Sequence, residues 1–164
     1  MQKWKILKSS FKSKDIVSTS RRLFGPVNTA SLYGSKYGLI IVDDYNRWTW
    51  VKFLRNKDNA YDVFSNFCTK IQSEKEMNIL KVRNDHGGEF EKEPFETFCE
   101  KHGIVHELSS PRTPQQNEDV ERKNRTLQEM ARTMIHENNL AKHFWAEVVN
   151  TTSYVINRIY IDLY

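Results

Sequence analysis

The chain has 164 residues with a formal net charge of +4, a length that suits one domain with a buried core. No apolar run approaches the ~18 residues that a membrane span needs, and the lysine-rich start lacks the apolar segment of a secretory signal. Cys68 and Cys99 have no metal-type partners at short spacing, so we expect free buried thiols in a protein of the nucleus or cytoplasm that is not secreted.

The positive charge is concentrated at the start of the chain. Residues 1–22 carry seven Lys or Arg and one Asp, whereas the remainder carries 18 basic and 20 acidic residues. We therefore divide the chain into a basic tail or linker, residues 1–22, and a folded domain, residues 23–164. Such a tail could hold nucleic acid through its phosphates, although a solvated, disordered linker is the simpler interpretation.

The first half of the domain predicts a hairpin followed by a helix. The stretch "YGLIIVDDYNRWTWVKFL" contains a continuous apolar run and a second run of good strand formers, joined at "DDYN". In the next segment, apolar residues recur at helical spacing from Ala60 to Ile71. We expect a central strand, its hairpin partner and an amphipathic helix in that order.

The second half alternates strands and helices. A strand in "MNILKV" ends near Asp85, "PFETFCEKHG" predicts a short helix, and "GIVHELSS" predicts a strand. The stretch "PRTPQQN" is typical of a loop, a long helix is expected to begin near Glu118, and a final helix covers "HFWAEVVNTTSYVINRIY". This order predicts an α/β fold with a mixed sheet flanked by helices.

Two acids are candidates for a common site. Asp85 follows a strand and precedes Gly87 and Gly88, which suits either a structural turn acid or a functional carboxylate at a strand end. Glu121 lies on the first turns of the long helix, after enough chain for the helix to return across that strand end. Two such carboxylates could bind Mg²⁺ and support phosphoryl transfer. The alternative for Glu121 is an ordinary acid at a helix start, where it complements the helix dipole.

Basic residues follow Glu121 in "ERKNR". Arg125 lies four residues after Glu121, and Arg132 continues the same helical stripe. Together with Arg122 and Lys123, these side chains are candidates for nucleic-acid binding, since a carboxylate site beside arginines suits a phosphodiester. The alternative is an ordinary Glu–Arg helix pair worth tenths of a kcal/mol.

Four ordered motifs then identify a resemblance. "LFGPV", "YGLIIVDDYNRWTWVKFL", "RNDHGGEF" and "SPRTPQQNEDVERKNRTLQEMARTM" resemble the integrase core of copia-type retrotransposon polyproteins, in the retroviral-integrase superfamily. The resemblance runs from about residue 9 to the end. It implies a ribonuclease H-like fold, a three-acid site for Mg²⁺ or Mn²⁺, and trimming and joining of element ends to target DNA. Asp85 matches the second acid of the family and Glu121 the third, so both are expected to be catalytic and metal-binding.

The chain departs from this family at the first acid. The family carries "DLFGP" after an apolar strand, whereas this chain has Arg22 before "LFGP" and lacks the apolar residues. We therefore expect a degenerate copy with a truncated first strand, in which Arg22→Asp would restore little. Asp43 and Asp44 are interpreted as turn residues rather than substitutes, and Glu118 stands where the family usually has glycine.

The expected function is DNA integration by divalent-metal-dependent phosphoryl transfer, impaired by loss of the first acid. Binding of Mg²⁺ or Mn²⁺ is expected to be weak or absent. The alternative is a catalytically inactive remnant that binds nucleic acid, so the status of the chain as a polynucleotidyl transferase or endonuclease stays open. An unrelated nuclease of the same fold is disfavoured by the four ordered motifs. The expected partner is DNA, a homo-oligomer is left open, and no membrane contact is expected.

Overall fold

A five-stranded mixed sheet forms the centre of the molecule. The computed structural model describes residues 17–44, 47–75, 78–84, 93–108 and 114–159. Its strands are β1 (Val17–Phe24), β2 (Tyr37–Asp43), β3 (Thr49–Leu54), β4 (Ile79–Asn84) and β5 (Val105–Leu108). They lie in the order β3-β2-β1-β4-β5. The pairs β1–β2 and β2–β3 are antiparallel, and β1–β4 and β4–β5 are parallel.

Helices cover both faces of this sheet. They are α1 (Ala60–Lys75), α2 (Glu93–His102), α3 (Pro114–Glu137) and α4 (Trp145–Ile159). The helices α1 and α2 pack on one face, and α3 and α4 pack on the other. Within the described ranges, no helix combines the length and the apolar character that crossing a bilayer requires.

The central position of β2 explains its continuous apolar sequence. Leu39 and Ile41 belong to the core beneath α1 and α2, and Ile40 and Val42 belong to the core beneath α3 and α4. Successive side chains of a strand point to opposite faces, so a strand covered on both faces needs apolar residues at every position. The predicted central strand and its hairpin partner are confirmed.

The expectation of a truncated first strand is wrong. β1 has eight residues and pairs with β2 on one side and β4 on the other. It is built partly from residues 17–22, which the sequence assigned to the tail, so the predicted boundary after residue 22 falls inside β1. Backbone N–H and C=O groups pair whatever the side chains are, and an empty central position would leave two strand edges unpaired. The pairing with β4 shifts register between Val17 and Ser18, which marks an imperfect fit.

The start of α3 also differs from the prediction. The helix begins at Pro114 rather than near Glu118, so the second half of "PRTPQQN" is helical. Proline is well tolerated at the first helical position, because its missing N–H has no partner there in any helix and its φ is already helical. The predicted helices α1, α2 and α4 and the strands β4 and β5 are confirmed.

Strand β1 places an arginine in the core. Arg21 is 3% exposed, and its guanidinium carbon lies 4.3 Å from the ring centroid of Phe64 and 4.0 Å from that of Phe95. Burial lowers the pKa of Arg21 to about 9. Cys68 and Cys99, in the same core, are free buried thiols, as the sequence predicted, and burial raises the pKa of both.

Candidate functional site

Strand β1 contributes Arg22, the residue after the buried Arg21, to the candidate site. Side chains alternate along a strand, so Arg22 lies on the face opposite Arg21, under α3. Its guanidinium donates a hydrogen bond to Oε1 of Glu121 and forms an ion pair with that carboxylate. The two side chains are 32% and 46% exposed, so water still reaches the pair. The position expected for the first acid therefore holds an arginine, and its guanidinium pairs with Glu121, the expected third acid.

The charge of Arg22 makes Glu121 a poor ligand for a cation. A guanidinium offers only donors and cannot ligate a metal. Two like unit charges 4 Å apart near a protein surface repel by about 4 kcal/mol, and a divalent ion doubles one of the charges. A partly exposed ion pair stabilises a fold by only ~0.2–1 kcal/mol, so the repulsion is the larger effect. Within the described ranges, no three His, Cys, Asp or Glu side chains are grouped so that they could hold a metal ion.

A groove of about 200 Å³ runs along α3 beside this ion pair. It is lined by Arg22, Glu121, Asn124, Arg125, Gln128, Glu129 and Arg132. The α3 members recur every three or four residues, which places them on one face of the helix. Three arginines and two glutamates give this groove a net positive charge.

Hydrogen bonds order the polar side chains along the groove. Gln128 donates from Nε2 to Oδ1 of Asn124 at 2.7 Å, and Arg132 donates to Oε1 of Gln128 at 3.4 Å. Among the described residues, Glu121 forms its ion pair with Arg22 of β1 rather than the ordinary helix pair with Arg125. Arg125 lines the groove as an exposed cation.

The other two basic candidates lie outside the groove. Arg122 is exposed on α3 and is absent from the groove lining. Lys123 donates from Nζ to the backbone carbonyl of Arg47 at 3.2 Å, which directs it to the turn between β2 and β3. The structure therefore brings together Arg125 and Arg132 from the predicted basic set, and adds Arg22 from β1.

Asp44 lies in the turn that follows β2, as predicted, whereas Asp43 is the buried last residue of β2 rather than a turn residue. The backbone N–H of Asp43 donates to the carbonyl of Trp48 at 2.9 Å, and its carbonyl accepts from the N–H of Arg47 at 2.9 Å. The carboxylate of Asp44 accepts hydrogen bonds from Ser20 Oγ at 2.8 Å and from Arg83 at 3.3 Å. Asp44, which follows β2, is thus linked to the neighbouring strands β1 and β4.

A second polar cluster occupies the β4–β5 edge of the sheet. Glu107 of β5 forms ion pairs with Lys81 and Arg83 of β4. The hydrogen bond from Lys81, together with the positive charges, lowers the pKa of Glu107. Since Arg83 also contacts Asp44, the cluster is a network of balanced charges that cross-links strands.

Asp85 lies outside the described residues. The predicted approach of Asp85 to Glu121 therefore stays a prediction. The last residue of β4, Asn84, pairs in register with Arg21 on β1. The residues that follow this pair in the sequence are Asp85 and Arg22.

Sequence reasoning missed the partner of Arg22. It identified an arginine in place of the first acid but did not connect Arg22 with Glu121, which is 99 residues away. The available signal was the charge itself, because an arginine that replaces one acid of a carboxylate cluster meets an oppositely charged neighbour.

Known proteins resemble this chain in sequence over most of its length. Residues 23–114, more than half of the chain, match the family model for the integrase core domain. The retrovirus-related Pol polyprotein from transposon TNT 1-94 of Nicotiana tabacum is 41% identical over 134 residues, which are 82% of this chain and 10% of that protein. The corresponding polyprotein from transposon RE2 of Arabidopsis thaliana is 32% identical over 129 residues, or 79% and 9%. The chain spans about a tenth of the length of these relatives.

The fold is also found in a solved assembly. A chain of the simian T-cell lymphotropic virus intasome, in complex with PP2A regulatory subunit B56 gamma, superposes with a TM-score of 0.66 at 13% identity. The match covers 87% of this chain and 48% of that one, and it confirms the predicted ribonuclease H-like architecture. On the family match, the identity to transposon polyproteins and the shared fold, the chain belongs to the integrase core domain family, in the form found in copia-type retrotransposon Pol polyproteins.

Proposed function

We propose that this chain is an integrase core whose divalent-metal-dependent joining of DNA is impaired at residue 22. The observation that carries the proposal is the ion pair between Arg22 and Glu121. Arg22 stands where the family has its first metal-binding acid, and its guanidinium also pairs with Glu121, the third acid. The substrates would be element ends and target DNA inside the cell.

The chemistry explains why one substitution has a large effect. Phosphoryl transfer by this class of site uses metal ions to activate the attacking oxygen and to stabilise the leaving oxygen. Hard cations such as Mg²⁺ need oxygen ligands in near-ideal geometry. In this proposal Asp85 and Glu121 remain as the second and third acids, and the described residues around Glu121 do not fit a bound cation.

The test is the joining of labelled oligonucleotides in Mn²⁺ by the native chain, with Asp85→Asn, Glu121→Gln and Glu129→Gln beside it. We expect no joining above background from any of the four proteins. Glu129→Gln is the matched control, because Glu129 lines the same groove and is not one of the proposed metal ligands. Joining by the native chain and by Glu129→Gln, lost in the other two, would show that another ligand completes the site and would overturn the proposal.

A second candidate is a domain that binds nucleic acid without catalysis. The observation that favours it is the groove, in which Arg125 and Arg132 face a cavity with net positive charge. Arg122 and Lys123 would contact neighbouring phosphates from the flanks of α3. Retention of labelled DNA by the native chain, together with the absence of nicking in Mn²⁺, would select this candidate over an impaired enzyme.

A further inference from the structure

The helix α3 is tied to the turn between β2 and β3 by a lysine that lies close to Glu121. Lys123, two residues after Glu121, donates from Nζ to the main-chain carbonyl of Arg47 at 3.2 Å. The contact is partly buried and joins residues 76 apart in the sequence. Arg47 has a φ of 61°, a left-handed conformation that residues other than glycine adopt uncommonly and that marks a backbone held by its surroundings.

The carbonyl that receives Lys123 belongs to a firmly held segment. Thr49 donates from Oγ1 to the same oxygen at 3.2 Å. Asn157 of α4 accepts from the N–H of Thr49 at 2.8 Å and donates to its carbonyl at 2.7 Å. Ser153 donates to that carbonyl at 3.1 Å, and Thr49, Ser153 and Asn157 are all buried. Because buried polar networks with their hydrogen bonds made are rigid, the Arg47 oxygen is a fixed point for α3.

Lys123 and Glu121 lie on opposite sides of the apolar stripe of α3. The stripe includes Val120 and Leu127, which belong to the core beneath α3 and α4. At about 3.6 residues per turn, Glu121 is rotated by about 100° from Val120 in one direction and Lys123 by about 60° in the other. Glu121 reaches Arg22 on β1, whereas Lys123 reaches the turn after β2. Apolar contacts are non-directional, so these two polar ties fix the rotation of the helix about its axis.

We propose that Lys123 is a positioning residue, which directs the carboxylate of Glu121 at residue 22 through its contact with the main-chain carbonyl of Arg47. This inference rests on the proposed function, in which Glu121 is the third acid, and it adds the residue that sets where this acid lies. A ligand group has to be held to within about 0.5 Å of its productive geometry, and the residues that support it supply that precision. In this role Lys123 affects the chemistry only through Glu121.

The side-chain carboxyl carbon of Glu121, observed by ¹³C NMR of the full chain, reports the surroundings of the carboxylate directly. Its resonance in Arg22→Gln is the reference for a lost ion pair. In Lys123→Met the resonance should move most of the way from its native position to that reference. Lys123→Arg keeps a cationic donor that can reach the carbonyl, so it should restore the native position, which a merely structural role of the lysine would not require.

Two controls separate this role from a general effect of charge. Arg122→Met removes the neighbouring exposed cation of α3 and should leave the Glu121 resonance at its native position. Arg47→Gly keeps the carbonyl and readily adopts the positive φ, so it should also leave the resonance unchanged. Thermal unfolding checks that each variant is folded, and Lys123→Gln, with a shorter side chain, replaces Lys123→Met if the latter does not fold.

An unshifted Glu121 resonance in the folded Lys123 variant would overturn the inference, and so would an equal shift in Arg122→Met. A shift in Arg47→Gly as large as that in Lys123→Met would overturn the assignment of the contact to the backbone carbonyl. Because these measurements contain neither metal nor DNA, their failure is distinguishable from the appearance of DNA joining in Mn²⁺, which would overturn the proposed function.

Discussion

Residues 21 and 22 are both arginines, and the alternation of β1 gives them different environments. Arg22 lies in a solvated groove and pairs with Glu121, whereas Arg21 is buried between the rings of Phe64 and Phe95. The first has a ready partner of opposite charge and costs the fold little. The second has been removed from water, which lowers its pKa to about 9. Each arginine therefore leads to its own prediction.

Arg22→Asp is expected to create a cation site. The reason for expecting little from this change was a missing strand, but β1 is present and directs residue 22 at Glu121. A carboxylate there would place two acids together where the native chain has an ion pair, and divalent ions bind such pairs. Titration calorimetry with Mn²⁺ should detect tighter binding than in the native chain. Arg22→Asn, which removes the cation without adding a carboxylate, serves as the control, and equal binding by both variants would contradict the prediction.

Arg21→Met is expected to stabilise the fold. Replacing a buried charged group by an apolar one of similar volume is commonly neutral or stabilising by about 1–4 kcal/mol, because the desolvation cost disappears. Urea unfolding at pH 7 measures the change in the free energy of unfolding, with Arg21→Lys as the control that keeps the charge. A loss of stability in Arg21→Met would show that the guanidinium stabilises the fold through its ring contacts.

The advantage of Arg21→Met should shrink above pH 9. Burial lowers the folded-state pKa of Arg21 to about 9, well below its ordinary value, so above pH 9 the unfolded chain holds a proton that the folded chain has released. Stability rises with pH where the unfolded state binds more protons, so the native chain gains on the variant in this range. Burial raises the pKa of Cys68 to about 12 and that of Cys99 to about 11. These thiols ionise more readily in the unfolded chain, so they lower the stability of the fold over part of the same pH range. Arg21 and the two thiols interact electrostatically, so the difference between the two proteins reports Arg21 together with its effect on the thiols.

At the scale of elements, the strand β1 shows how a sheet tolerates an unsuitable sequence. Its residues Thr19, Ser20 and Arg21 are polar, yet all three are at most 4% exposed. The sheet accepts them because β2 and β4 both present backbone groups that need partners. Phe24, at the end of the strand, packs edge-on to Trp145 of α4 and anchors β1 to the core beneath α3 and α4.

Ser20→Pro tests whether β1 is a central strand. Proline lacks the N–H that a ladder needs and is confined to edge strands and bulges, so the change should cost about 3 kcal/mol or more and unfold most of the domain. Circular dichroism and thermal unfolding would report it. Ser20→Ala keeps the ladder and removes only the hydrogen bond to Asp44, so its cost should be about 1 kcal/mol. Equal stability of the Pro and Ala variants would show that residue 20 is not in the sheet.

At the scale of the whole molecule, the net positive charge lies in the first 16 residues, and the rest of the chain has equal numbers of basic and acidic residues. Residues 1–16 carry five Lys and one Asp, and the rest of the chain carries 20 basic and 20 acidic residues. A chain segment with net positive charge attracts DNA through counterion release whatever the DNA sequence. The folded part can bind only where its charges are arranged locally, as they are along the α3 groove.

Removing residues 1–16 should lower DNA affinity at low salt and reduce its salt dependence, with little change in sequence preference. The truncation has to stop before Val17, because β1 begins there and a longer deletion would remove part of the central sheet. Filter binding over a salt series, checked by thermal unfolding of the shortened chain, measures the effect. Unchanged affinity at low salt would show that the folded part carries the binding by itself.

The order of elements and the family were determined by the sequence itself, because periodicity, turn residues and the motifs "RNDHGGEF" and "VERKNR" are local signals. The hairpin, α1, α2, β4, β5 and α4 were predicted from such signals, and so was the candidate acid Glu121. The state of β1 was decided only in three dimensions, since its polar residues have weak strand preference and were recruited by the unpaired edges of β2 and β4. The contact of Arg22 with Glu121 likewise spans 99 residues, and no local pattern could bring the two together. Packing of α3 across β1 made a predicted cation site into an arginine-lined groove, because the charge that a site presents depends on which side chains the fold places side by side.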